Sequence, residues 1–187
     1  TGLFEAMEPR EAIAQLHAVS RRVVKWKNWV NGVEGAYMSS KVIRAMAKRF
    51  WGSELAADFS TYEGKALAAK IIQEREYAIA CLILCNQVCP ITDVEHSQDH
   101  LGDPSLESKL YSAVTGNEVD EEGLYRVGER VFNLQRAILV REGRRRKDDR
   151  LAELYYTVPI DAAVPLIPNA ECLVPGKHGE PISRKGA

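Results

Sequence analysis

Ala80-Cys81-Leu82-Ile83-Leu84-Cys85-Asn86-Gln87-Val88-Cys89-Pro90 places three of the chain's four cysteines at i, i+4 and i+8. Residues four apart share one face of a helix, so a helix running to Pro90 sets three thiols in one stripe. The segment reads as the end of a long helix capped by Ser60 or Thr61, with Glu63 in its first turn. Ala66, Ala69, Ile72, Tyr77, Ala80, Leu84 and Val88 give that helix a mostly apolar surface, continuous after Tyr77. A helix apolar on all sides is a buried one, and the stripe is expected inside the protein or against another domain. Pattern alone leaves two readings. The thiols form a site, or they simply pack, since free cysteine is among the most buried residue types.

Outward from this stretch the chain reads as further helices. Pro9 to about Val30 is the first, with Ile13, Leu16, Val23 and Val24 at near-helical spacing. Its basic run, Arg21, Arg22, Lys25 and Lys27, reads as a solvated face. Ser39 or Ser40 caps a second helix through Phe50, with Gly52 just past its end. Ile91 to Asp103 reads as a solvated polar loop, in which His96 and His100 beside carboxylates offer a minor metal-binding alternative. Asp103 and Pro104 open a fourth helix to Thr115, stopped by Gly116. Asp120 caps the last one, to Glu142, with Leu124, Val127, Val131, Leu134 and Ile138 as its core stripe. After Pro159 five of the eight prolines fall in the last 29 residues. The fold expected is all-α, about five helices in a compact orthogonal bundle over residues 1–158, followed by an irregular Pro-rich arm over 159–187.

Composition narrows the function. The net charge is −1, with 45% hydrophobic and 27% charged residues in 187. That balance argues against a nucleic-acid or membrane-surface partner. Three cysteines on adjacent turns make poor disulfide geometry, so a reducing cytoplasm is the expected compartment. The chain starts at Thr1 rather than Met, and it reads as an excised piece of a larger protein.

Gly128-Glu129-Arg130-Val131-Phe132-Asn133-Leu134-Gln135-Arg136, then Arg141-Glu142-Gly143, then Arg146-Lys147-Asp148-Asp149, resembles the C-terminal signature of the tungsten-containing aldehyde:ferredoxin oxidoreductase family. Val114-Thr115-Gly116 fits as well, and similarity extends from about Gly52 to Pro175-Gly176-Lys177. The family binds tungsten through two pterin dithiolenes beside a [4Fe–4S] cluster. Three cluster cysteines come from a Cys-x2-Cys-x3-Cys group, which this chain lacks, and the fourth ends an Asp-x-x-Gly-Leu-Cys motif. That motif aligns with Ala80 to Cys85. The resemblance therefore implies Cys85 as cluster ligand and Leu84 as a cofactor-side residue. Ala80 stands where the family has a pterin-binding Asp, and Ile83 where it has Gly. Cys81 and Cys89 have no implied role and are expected to pack.

The resemblance implies a part of an enzyme that oxidises aldehydes to carboxylic acids and passes electrons through the cluster to ferredoxin. The implied partners are the N-terminal domains of the parent enzyme and ferredoxin or another electron-transfer subunit. The isolated chain is expected to hold no metal and to be inactive. Tyr37 is the one hydrogen-bonding candidate between Gly35 and Arg49; no catalytic residue is otherwise assigned. Two alternatives stand: the aromatic acyl-CoA reductase branch of the same family, with the basic second helix toward a CoA phosphate, and a non-catalytic helical interaction module.

Overall fold

The computed structural model describes residues 6–8, 17–85, 88, 90–151, 153, 172–175 and 181–184. Among them are five α-helices: α1 (His17–Val30), α2 (Ser40–Trp51), α3 (Lys65–Cys81), α4 (Leu106–Thr115) and α5 (Glu121–Arg141). The all-α expectation holds for this body. The expected start of the first helix at Pro9 lies outside the described residues. In the arm, β1 (Cys172–Pro175) and β2 (Pro181–Arg184) pair antiparallel, with Cys172 opposite Arg184. An arm expected to be irregular thus contains a short two-stranded ladder.

The core forms around α2. The Ser39 hydroxyl accepts from Val42 N at 3.2 Å, which satisfies one free amide of the first turn. Gly52 ends the helix in the left-handed region, where a Cβ would meet the Ile71 side chain. Between these stops Ile43, Met46, Ala47, Phe50 and Trp51 recur on one face and are buried. They pack with Met38, Ala56, Ala57, Ala68 and Ile72. Trp26 of α1 lies on Phe59, ring centres 5.2 Å apart, and its indole N–H donates to Ser40 Oγ.

Helix α3 departs from expectation at both ends. It begins at Lys65 instead of just after Ser60 or Thr61, because Gly64 turns the chain through the left-handed region immediately before it. Lys65 is held there by the carbonyls of Leu55 and Asp58 at 2.7 and 2.6 Å. It ends at Cys81, nine residues short of Pro90. Its buried part is also displaced from where the apolar pattern puts it. Every residue from Ile72 to Ile79 is buried, including Gln73, Glu74, Arg75 and Glu76. Their burial is offset in part: several polar atoms find partners, while Gln73 Nε2, Arg75 Nε and Glu107 Oε1 are buried without a hydrogen bond. Arg75 pairs with buried Glu107 of α4 at 2.6 Å, donates to Tyr125 of α5 at 2.7 Å, and lies over the Phe50 ring. Burying such a pair stabilises only when its remaining donors are met. Arg75 also reaches the Pro104 carbonyl, but Arg75 Nε and Glu107 Oε1 are left without a partner, so the pair specifies the packing of α3, α4 and α5 more than it stabilises it.

Helix α5 begins as its sequence suggests, with Asp120 Oδ1 accepting from Gly123 N at 2.7 Å. Its inward face is rotated from the expected stripe. Leu124 and Gly128 are buried, and Phe132 meets Tyr77 edge to face at 5.4 Å. Tyr77 donates a hydrogen bond toward Gln135 at 2.8 Å. Val127, Leu134 and Ile138, expected in the core, are exposed. Gly128 sets the phase. A Cβ there would sit 1.9 Å from the Glu74 carbonyl oxygen and 3.0 Å from Ala78 N, so only glycine lets the α5 and α3 backbones touch.

Candidate functional site

The segment that carries Cys85 begins at the end of α3. Leu84 N donates to Ile79 O and Ile83 N to Ala80 O, both at 3.1 Å. This pair of bonds closes a helix when the residue between them is left-handed. That residue is Ile83, with φ +58°. A β-branched side chain in this region costs roughly 1–2 kcal/mol. The closure also throws the chain off the helix axis, so Cys81 and Cys85 are not one turn apart on a common stripe. Both are exposed, and Ile83 is 92% exposed. Leu84 is half-buried between them in sequence, and Val88 is exposed. Burial within this chain is therefore not found for the described residues, with Cys81, Ile83, Cys85 and Val88 exposed; the other part of the expectation, contact with another domain, stands as a proposal. Cys89 lies outside the described residues, as does any three-thiol alignment.

Beyond Pro90 the loop expected to be solvated is anchored. Thr92 is buried, Asp93 bridges to Leu101, and Gly102 packs where a Cβ would meet Ile91 O at 1.7 Å. The Asp93 carboxylate, only 4% exposed, accepts from Lys25 Nζ and Tyr37 Oη, each at 2.5 Å, with Arg22 Nε at 3.2 Å. Arg22 also donates to Thr92 Oγ1 at 2.6 Å and to the Pro90 carbonyl at 3.3 Å. The basic run of α1, solvent-facing by its composition, instead supplies two arms of this clamp. The one signal for it in the sequence is Asp93, an acid placed between the apolar Ile91 and Val94. Tyr37, the hydrogen-bonding candidate, is engaged here: it donates to Asp93 and accepts from Lys25 at 2.6 Å.

Burial opposes charge on Asp93, yet hydrogen bonds from Lys25 and Tyr37 and the charges of Lys25 and Arg22 hold its carboxyl below the usual range. Burial likewise opposes the Lys25 ammonium, and its bonds to Asp93 and Tyr37 outweigh this and raise its pKa. Burial, then the bond to Asp93, pushes the Tyr37 phenol up. At neutral pH the cluster is carboxylate, ammonium and neutral phenol, the pattern of a structural clamp.

His100 Nδ1 donates to the Glu95 carbonyl at 2.8 Å, and its ring lies against Tyr37, centres 5.0 Å apart. His96 is exposed. Among the described residues no group of three or more His, Cys, Asp or Glu side chains is disposed to hold a metal ion, so the His96/His100 alternative finds no ligand set. For a four-thiolate cluster, the described donors supply one exposed thiol, Cys85, in the matching position, with Cys81 near it in sequence. That fits a cluster completed from outside the chain.

The signature residues divide by role. Gly128 permits the α3–α5 contact. Arg136 makes a two-pronged bond to the Asp149 carboxylate, which also accepts from Arg144 Nε at 3.1 Å. Arg144 in turn reaches Ala6 O at 3.0 Å. Gly143 closes α5 at φ +110°. Arg130 and Asn133 face outward and are exposed.

No helix among the described residues is long and apolar enough to cross a membrane. No solved structure matches the chain. The family model described as aldehyde ferredoxin oxidoreductase, domains 2 and 3, matches residues 4–171. With most of the chain covered by that model, the chain belongs to the aldehyde ferredoxin oxidoreductase family.

Proposed function

We propose that this chain is part of a tungstopterin oxidoreductase that oxidises an aldehyde to a carboxylic acid, with Cys85 as one ligand of a [4Fe–4S] cluster. The observation that carries the reading is the exposure of Cys85 just past a tightly closed helix end, where a second domain can reach it. Aldehyde and water give carboxylate, three protons and two electrons, and two one-electron carriers take the electrons. When bound, tungstopterin supplies oxygen-atom chemistry and the cluster supplies single-electron transfer.

The chain's own residues do three things in this reading. Cys85 offers a thiolate, the form that ligates iron. Leu84 and Ile83 place apolar surface beside it, which lowers the local dielectric and tunes a cluster's potential. The Arg22–Asp93–Lys25 clamp fixes the segment leaving the site at Pro90 and Thr92. Ala80 offers no hydrogen bond to a pterin from its side chain, so that contact is absent here.

A second reading, the aromatic acyl-CoA reductase branch, draws support from one feature. Ser40, Lys41, Arg44, Ala45 and Glu54 line a shallow concavity at the head of α2, with two cations for a phosphate. The test is the full-length protein: metal analysis for tungsten and iron, with viologen reduction driven by aldehydes and, in reverse, reduction of an aromatic acyl-CoA. Aldehyde-dependent viologen reduction with bound tungsten supports the first reading. Acyl-CoA reduction alone supports the second, and a protein without either activity overturns both.

A further inference from the structure

The other four described helices close on glycine. Gly32, Gly52, Gly116 and Gly143 take left-handed φ values of +69°, +81°, +72° and +110° just past α1, α2, α4 and α5. Helix α3 closes on Ile83 at φ +58°. A strained residue persists when its surroundings over-determine it. The Ile83 side chain offers no such hold. It is 92% exposed, so no packing among the described residues offsets the clash of its Cβ.

Nor does the sequence demand a stop here. No glycine or proline falls between Ala80 and Cys89, and Leu82 and Leu84 favour helix. The backbone bonds leave the alternative open. The turn uses Ile83 N to Ala80 O and Leu84 N to Ile79 O. Cys85 N and Cys81 O have no hydrogen-bond partner among the described residues. A helix continued through Cys85 pairs Ile83 N with Ile79 O, Leu84 N with Ala80 O and Cys85 N with Cys81 O. The exchange adds the Cys85–Cys81 bond and relaxes Ile83 to the right-handed region. The far end of the segment is held separately, by Arg22 on the Pro90 carbonyl and the Thr92 hydroxyl. The change is thus confined to the residues between Cys81 and Pro90.

The two forms offer different chemistry. The turned form presents Cys85 off the axis of α3. The extended form sets Cys85 one turn beyond Cys81 on the same face, with about 5–6 Å between Cβ atoms. Two thiolates at that spacing suit one soft ion. We propose that the end of α3 is a two-state element. Turned, it lends Cys85 to a group held from outside the chain; extended, it joins Cys81 and Cys85 into a dithiol site for a thiophilic ion. Ligation of Cys85 from outside favours the turned form, and loss of that ligand lets α3 extend. Isoleucine keeps the two forms close in free energy, where glycine would fix the turn. The identity of the outside group rests on the oxidoreductase reading above; the dithiol form does not.

The test traps the extended form in full-length protein with its iron removed anaerobically. Phenylarsine oxide condenses with two neighbouring thiols, forming two As–S bonds and releasing one water. The Cys81–Cys85 adduct is followed by peptide mass spectrometry in wild type, Ile83→Gly and Ile83→Ala, with Cys81→Ser as control. Wild type is expected to be trapped, and Ile83→Gly to be trapped about five- to thirtyfold more slowly, the population shift that relieving a left-handed Cβ produces. Ile83→Ala, which keeps a Cβ, stays within about threefold of wild type. Labelling of single thiols by iodoacetamide is the same in all three. In iron-loaded protein, iron loss to a chelator slows several-fold in Ile83→Gly, because the variant holds the turned form. Equal trapping of wild type and Ile83→Gly overturns the two-state element. So does iron loss that is unchanged or faster in Ile83→Gly. A protein that takes up no iron yet traps as expected supports the two-state element and overturns the oxidoreductase reading alone.

Discussion

Helices α3 and α5 close their C-terminal ends with the same pair of hydrogen bonds. In α5, Arg144 N donates to Leu139 O at 2.9 Å and Gly143 N to Val140 O at 3.2 Å. In α3 the equivalent bonds come from Leu84 and Ile83. The residue that must turn left-handed is glycine in one and isoleucine in the other, at φ +110° and +58°. The downstream chain differs too. After α5 it folds back, and Asp149 gathers Arg136 and Arg144. After α3 the described residues Ile83, Cys85 and Val88 are exposed. One end is built for stability. The other holds a strained turn with an apolar edge, the arrangement expected where a site is completed by something else.

The largest expected effect comes from dismantling the α5 closure. Asp149→Ala leaves two half-buried guanidinium groups without their shared carboxylate and should cost about 2–3 kcal/mol, read by urea unfolding. A loss under about 0.5 kcal/mol would place Asp149 among ordinary surface charges. Next in size, Gly143→Ala should destabilise by about 1 kcal/mol, because any Cβ is strained at that φ. The mirror change, Ile83→Gly, should stabilise by up to about 1 kcal/mol and raise Tm by about 2–4 °C. If both substitutions move Tm the same way, the two turns are not equivalent closures.

The pH-dependent effect concerns the clamp beyond the strained turn. Asp93 has a depressed folded pKa, so its contribution is full above the unfolded carboxylate value of about 3.9 and is lost as pH falls through the folded one. Lys25 has a raised folded pKa, so its contribution is present below the unfolded value of about 10.4 and is lost as pH rises through the folded one. Asp93→Asn should therefore remove one part of the stability loss seen as pH falls below the usual carboxylate value, leaving the part that other depressed carboxylates such as Asp149 contribute. A variant with the wild-type acid profile would leave the clamp without a role in stability.

Legibility in sequence divides the same way. Ser39 with Gly52, and Asp120 with Gly143, mark α2 and α5 because their caps are local and use the residues whose chemistry suits them. The end of α3 is hidden because isoleucine carries no stop signal; only the tertiary context holds it left-handed. The α5 stripe is misphased because helical spacing identifies an apolar stripe without saying what covers it. Gly128, a residue without a side chain, decides which face approaches α3. The burial of Gln73 to Glu76 is illegible for a related reason: Glu107 and Tyr125, which partner Arg75, lie 32 and 50 residues away. Cys85 is proposed through a family resemblance alone, while the thiol stripe suggested by spacing does not form in the described residues. The Asp93 clamp escapes sequence reading because a basic run looks the same whether its charges meet water or a buried carboxylate.

The assignment of Cys85 to a cluster can be tested against its neighbour, a second exposed thiol four residues away. Full-length protein is prepared anaerobically as wild type, Cys85→Ser and Cys81→Ser, and each is measured for iron, acid-labile sulfide and the reduced-state electron paramagnetic resonance signal. Cys85→Ser is predicted to lose or visibly alter the cluster, while Cys81→Ser keeps the wild-type iron content and signal. A Cys85→Ser protein with wild-type iron, sulfide and spectrum would contradict the assignment.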